Sequence, residues 1–101
     1  MKKILLILLF LTFSSSVFAD DKMVLGLEVY NNKAQCGVCH TLQAAGSARN
    51  IGPNLDQLKP SMLQIIYAVN NGIGVMQAWE GILTDKEIEA VAYYVFNTTN
   101  K

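Results

Sequence analysis

Hydrophobic and polar positions along this chain follow helical rather than strand spacing. After Lys2 and Lys3, an apolar run extends from Ile4 to Phe13 and softens into Ser14-Ser15-Ser16. From Asp20 to Tyr30, apolar residues recur at Val24, Leu27 and Tyr30, which predicts a first helix. Asp20 and Asp21 suit the positive end of its dipole, and Asn31-Asn32 ends it. Pro60 is expected to open a second helix, where its missing N–H costs nothing. Met62, Ile65, Ile66 and Val69 form the apolar face of that helix, and Asn71-Gly72 stops it. Thr84, with Glu87 three residues on, is a capping box for a last helix. Its stripe is Ile88, Val91, Ala92 and Val95. Between these elements, Thr41 to Leu55 is a loop marked by Gly46, Gly52 and Pro53. Gly72 to Gly81 holds three glycines without helical period and is expected to be an extended strap. The absence of any alternating pattern makes the expected fold class all-α.

The N-terminal pattern changes how much of the chain counts as domain. A charged start, an apolar run and Val17-Phe18-Ala19 are the three regions of a secretory signal, with cleavage expected after Ala19. An uncleaved anchor is the alternative, but a spanning helix needs roughly 20 apolar residues. Residues 1–19 are therefore expected to be a signal peptide and residues 20–101 one domain in the periplasm, not inserted in the membrane. Cleavage leaves 82 residues, with six basic and eight acidic side chains, a net charge of −2. That balance, without a basic cluster, excludes nucleic acid as a partner. A domain of this size buries a small core and commonly needs a staple. The two cysteines are only three positions apart, and a disulfide closing so short a loop constrains the unfolded chain little.

The chemistry concentrates at Cys36-Gly37-Val38-Cys39-His40. C-x-x-C-H is the pattern of covalent c-type haem attachment. Two thiols at this spacing can add to the two vinyl groups of one porphyrin, which carries His40 under the ring as proximal iron ligand. A thioredoxin-like dithiol shares C-x-x-C but expects a βαβ setting that is not indicated here. Structural zinc needs four ligands, and this chain has two Cys and one His. A structural disulfide stays open as a reading. With a single histidine, the second axial ligand is drawn from Met23, Met62 and Met76. Met62 shares an apolar helix face and reads as core packing. Met76 lies in the glycine-bearing strap, where backbone can approach a ring face, and is the favoured distal ligand.

The order C-x-x-C-H, Gly52-Pro53-Asn54-Leu55, a helix, Asn71-Gly72 and Met76 resembles class I cytochrome c, especially its short bacterial and soluble photosynthetic members. The resemblance spans nearly the whole mature chain. It implies three to four helices wrapped around one covalently bound haem c per chain. It also implies that the Pro53 carbonyl accepts a hydrogen bond from His40, orienting the iron ligand, and that Gly26 of the first helix packs on Tyr94 of the last. Two positions depart from the family's distal motif: Gln77 stands where proline usually follows the methionine, and Trp79 stands in a phenylalanine position. Trp79 is expected to pack against the haem edge.

With His40 and Met76 as ligands both axial positions are filled, which points to outer-sphere electron transfer rather than catalysis. The expected role is a one-electron carrier between a donor dehydrogenase or membrane complex and an acceptor oxidase or reductase. It would act as a monomer or as the haem subunit of a periplasmic dehydrogenase. A haem sensor with displaceable Met76 and a thiol oxidoreductase are the readings from other classes.

Overall fold

The computed structural model describes residues 16–101. The expected signal segment thus lies, over residues 1–15, outside the described residues. Among the described residues, four α-helices carry the fold: α1 (Ser16–Glu28), α2 (Leu55–Leu58), α3 (Met62–Asn71) and α4 (Asp85–Thr99). Among the described residues there is no sheet, only isolated bridges, so the architecture is all-α as expected. No described helix is long and apolar enough to cross a membrane.

The first helix departs from its expected bounds. Its described part already runs from Ser16, so Asp20 and Asp21 fall outside its first turn. After Glu28 the chain widens into a π-helical turn, Val29–Lys33, and the Ala34 N–H closes on the Val29 carbonyl at 2.8 Å. Val24, expected in the apolar set, is 70% exposed. The rest of that set holds: Tyr30 is fully buried and Leu27 partly buried against the core, joined by Met23, Leu25 and Gly26, with Val29 turned inward by the wider turn.

This face is the contact with α4. A Cβ at Gly26 would collide with the Ala90 carbonyl oxygen and lie 2.5 Å from Tyr94 Cβ. The two terminal helices therefore cross at near backbone-to-backbone distance, with Tyr94 seated over Gly26. Gly26→Ala is expected to destabilise the haem-loaded protein by about 3 kcal/mol, the upper end for forcing a methyl into a packed contact. The thermal midpoint should fall by roughly 10 °C or more. An unchanged midpoint would mean that the crossing can open freely.

Caps fix where the other helices begin. Thr84 and Glu87 form the expected reciprocal box on α4, with Glu87 N–H to Thr84 Oγ1 at 3.1 Å and Thr84 N–H to Glu87 Oε1 at 2.9 Å. The Lys33 ammonium lies 2.6 Å from the Glu87 carboxylate, ties the π-turn to this cap and holds that carboxyl below its usual range. In α3 the cap is Ser61, boxed with Gln64, so Pro60 stands outside the helix it was expected to open. A short α2, capped by Asn54, begins at Leu55, where the loop read from sequence ends. Lys59 donates to the Thr99 carbonyl at 3.0 Å, joining the α2–α3 connection to the end of α4.

The core gathers Val29, Tyr30, Leu42, Ile65, Val69, Leu83 and the inward stripe of α4, including Ile88, Val91, Ala92 and Val95. The expected strap is not extended. Ile73 and Met76 exchange backbone hydrogen bonds at 3.0 and 2.8 Å, closing a tight turn around Gly74, whose φ is +58°. A second turn follows as the Trp79 carbonyl accepts from Ile82 and Leu83. The Trp79 N–H reaches the Val69 carbonyl at 2.7 Å and pins the segment to the end of α3.

Candidate functional site

The attachment loop is built from local backbone bonds. Cys36–Val38 form a 3₁₀ turn entered through Gln35 at φ 50°. The Cys39 and His40 N–H groups both donate to the Cys36 carbonyl, at 3.1 and 3.0 Å. Both cysteines are half-buried free thiols on this one turn. Burial pushes the Cys36 thiol up to about 11. A redox-active C-x-x-C relies on a lowered thiol pKa, so this environment disfavours the dithiol reading. Among the described residues, no three His, Cys, Asp or Glu side chains assemble as a metal-holding group, which disfavours zinc.

His40 is held from two directions. Its Nδ1 lies 2.8 Å from the Pro53 carbonyl oxygen. A carbonyl accepts only, so Nδ1 carries the proton and the Nε2 lone pair is left available to a metal. Against the ring lies Gly52, where a Cβ would stand 2.6 Å from Cε1 and 2.9 Å from Nδ1. Gly52 also donates to the Cys39 carbonyl at 2.7 Å, and Leu55 N–H to the Thr41 carbonyl at 3.0 Å. The 52–55 segment is thus laced to residues 39–41. Gly52 was read from sequence only as a loop marker. Its backbone has no special φ, and it must be glycine because the imidazole occupies the space.

Gly52→Ala is accordingly expected to push the ring away from the Pro53 carbonyl. If His40 ligates iron as the sequence leads one to expect, a less polarised imidazole would be a weaker donor, and the reduction potential of the haem-loaded variant should rise. An unchanged potential would mean that the ring yields without loss of its carbonyl partner.

Met23, Met62, Met76 and Trp79 are all partly buried and packed on the core. Met76 alone among the three methionines lies off a helix, on the tight turn just described. A Cβ at Gly72 would come within 2.5 Å of the Met76 carbonyl oxygen, so the turn folds back onto the end of α3.

These residues fit a haem by the chemistry of the donor set: two thiols on one turn, an imidazole with Nε2 free, and thioether sulfurs packed on the core. The distribution of apolar surface fits as well. Among the described residues, eight of the nine exposed large apolar side chains lie between Val38 and Ile82, including Leu63 and Tyr67 of α3 and Val75 of the turn, which is 90% exposed. The α4 stripe is buried, whereas these side chains are left exposed for an apolar cofactor to cover.

Comparison with known proteins agrees with this arrangement. The family described as cytochrome C oxidase, cbb3-type, subunit III matches residues 22–95. A cytochrome c6 of Tetradesmus obliquus is 36% identical over 85 residues, covering 74% of this chain and 89% of its own. The chloroplastic cytochrome c6 of Chlamydomonas reinhardtii is 35% identical over 88% of this chain, which spans 62% of that longer relative. Among solved structures, the c-type cytochrome SorU from Sinorhizobium meliloti superposes with a TM-score of 0.75 at 48% identity. That match covers 81% of this chain and 95% of SorU.

Proposed function

The chain belongs to the class I c-type cytochromes, electron carriers with covalently bound haem c, and from that premise we propose a periplasmic one-electron shuttle using His40 and Met76 as axial ligands. The observation that carries the reading is the 2.8 Å bond from His40 Nδ1 to the Pro53 carbonyl, one residue beyond the two-cysteine turn. Cys36 and Cys39 would hold the cofactor by thioether bonds. Bound haem supplies a one-electron Fe(III)/Fe(II) couple. Pro53 fixes the tautomer and orientation of His40 and raises its basicity. Met76 sulfur favours the reduced state, and the hydrogen bonds that close its turn supply the restraint that proline gives elsewhere in the family. Trp79, pinned through its N–H to Val69, packs beside that turn and limits water access.

With His40 and Met76 both holding the iron, no site would be left for oxygen or another small ligand. The reduced protein should therefore titrate reversibly as a one-electron couple and take up no carbon monoxide. Rapid carbon monoxide binding would replace this reading with a ligand sensor. Export follows from the N-terminal charged, apolar and small-residue regions, with residues 20–101 as the mature domain. Mass measurement of the periplasmic protein should give a chain beginning at Asp20.

Its partners would be redox proteins, a donor dehydrogenase or membrane complex and an acceptor oxidase or reductase, met through small transient contacts. A second reading, the haem subunit of a larger redox enzyme, is favoured by the matched family's description as an oxidase subunit. Co-purification with a larger enzyme at fixed stoichiometry would select it over the free shuttle.

A further inference from the structure

We propose that Tyr30 is a positioning residue for His40, acting through a hydrogen bond to Ser47 that anchors the haem-attachment loop and the Pro53-bearing segment to the helical frame. The inference rests on the assignment of His40 as proximal ligand.

Tyr30 lies in the π-turn after α1 and is fully buried. Its ring leans on that of Tyr94 in α4, with centroids 6.4 Å apart, so its body belongs to the crossing of the terminal helices. Its hydroxyl points elsewhere, 2.9 Å from Ser47 Oγ. Burial raises this phenol to about 12, so it stays a neutral hydroxyl at physiological pH. Ser47 Oγ also accepts the Leu42 N–H at 3.0 Å. Backbone bonds of 3.1 and 3.2 Å pair residues 42 and 47 into a closed turn. Leu42 is fully buried and stands two residues after His40.

Both limbs of the site rest on this pair. On one side, a Cβ at Gly37, between the two cysteines, would lie 2.8 Å from Ser47 Cβ and 3.5 Å from Tyr30 Cε1. On the other, the chain leaving Ser47 is tied back by Thr41 Oγ1 to the Arg49 carbonyl at 2.7 Å, then delivers Gly52 and Pro53 to His40. A single hydroxyl pair thus sets the attachment turn and the acceptor of the His40 proton in one register against α1 and α4. A phenylalanine would fill the same space but leave that register to slide. Slack between the limbs lengthens the Nδ1–H···O=C bond, weakens imidazole donation and destabilises ferric iron.

The test is made on haem-loaded Tyr30→Phe, Ser47→Ala and the double variant. The reduction potential and the electron paramagnetic resonance g values of the low-spin ferric protein are measured. The potential is expected to rise and the g values to shift in both single variants, further in Ser47→Ala because it also loses the Leu42 N–H bond; the double variant should match Ser47→Ala, in which the shared bond is already gone. Wild-type potential and g values in Tyr30→Phe, with only a lowered thermal midpoint, would overturn the proposal and leave the bond a stabilising one. Additive shifts would overturn it too. A wild-type g tensor without axial imidazole would instead remove the His40 assignment, and the positioning role with it.

Discussion

A chain with Cys36 and Cys39 both replaced by alanine is expected to hold no covalent haem and to show no cooperative thermal transition. The reason lies in how the apolar residues are shared out. The buried cluster is formed largely by the π-turn and α4, with Leu42, Leu83 and Ile65 and Val69 of α3 joining, and α1 packs against it only through partly buried Met23, Leu25 and Leu27. Among the described residues, most exposed large apolar side chains lie in the middle of the chain, from Val38 to Ile82, and contribute little burial without a cofactor. A core of this size supplies roughly 3–5 kcal/mol. Losing the burial that a covalent cofactor adds should exceed that margin. Circular dichroism on heating is the measurement. A sharp transition in the double variant would mean that the terminal helices fold the domain alone.

Met76→Ala is expected to lower the reduction potential markedly and to open the iron to carbon monoxide. Axial ligands set haem potentials over a range of about 0.8 V, so losing the sulfur should move the couple far more than Gly52→Ala does. The effect should be specific to this methionine. Met23 and Met62 lie on α1 and α3 and pack on the core, so Met62→Ala should cost stability and leave the potential near wild type. If Met62→Ala or Met23→Ala opened the iron and Met76→Ala did not, the distal assignment would pass to that residue.

What could be read from sequence was whatever is decided locally. The attachment turn is a five-residue pattern, and its chemistry follows from spacing. The Thr84–Glu87 box and the α4 stripe are equally local, and both stand where expected. The Ser61–Gln64 box is also local, but Pro60 masked it by offering a competing start. Other features depend on distance along the chain. Tyr30 meets Ser47 across 17 positions, and neither residue type announces such a bond. Gly52 looks like an ordinary loop glycine until the imidazole that fills its side-chain space is in place. Val24 has helical spacing yet faces outward, because the Gly26 crossing and the π-turn set which face of α1 turns inward. The 72–81 segment has no period because it is a pair of turns stitched by backbone bonds, which composition does not distinguish from an extended strap.

Covalent haem held by both His40 and Met76 should be visible in the absorption spectrum of the oxidised protein made in a host that attaches c-type haem. The weak long-wavelength band of methionine sulfur on ferric iron is expected in the wild type and should be lost in Met76→Ala. Attached haem without that band in the wild type would leave Met76 without its place on the iron.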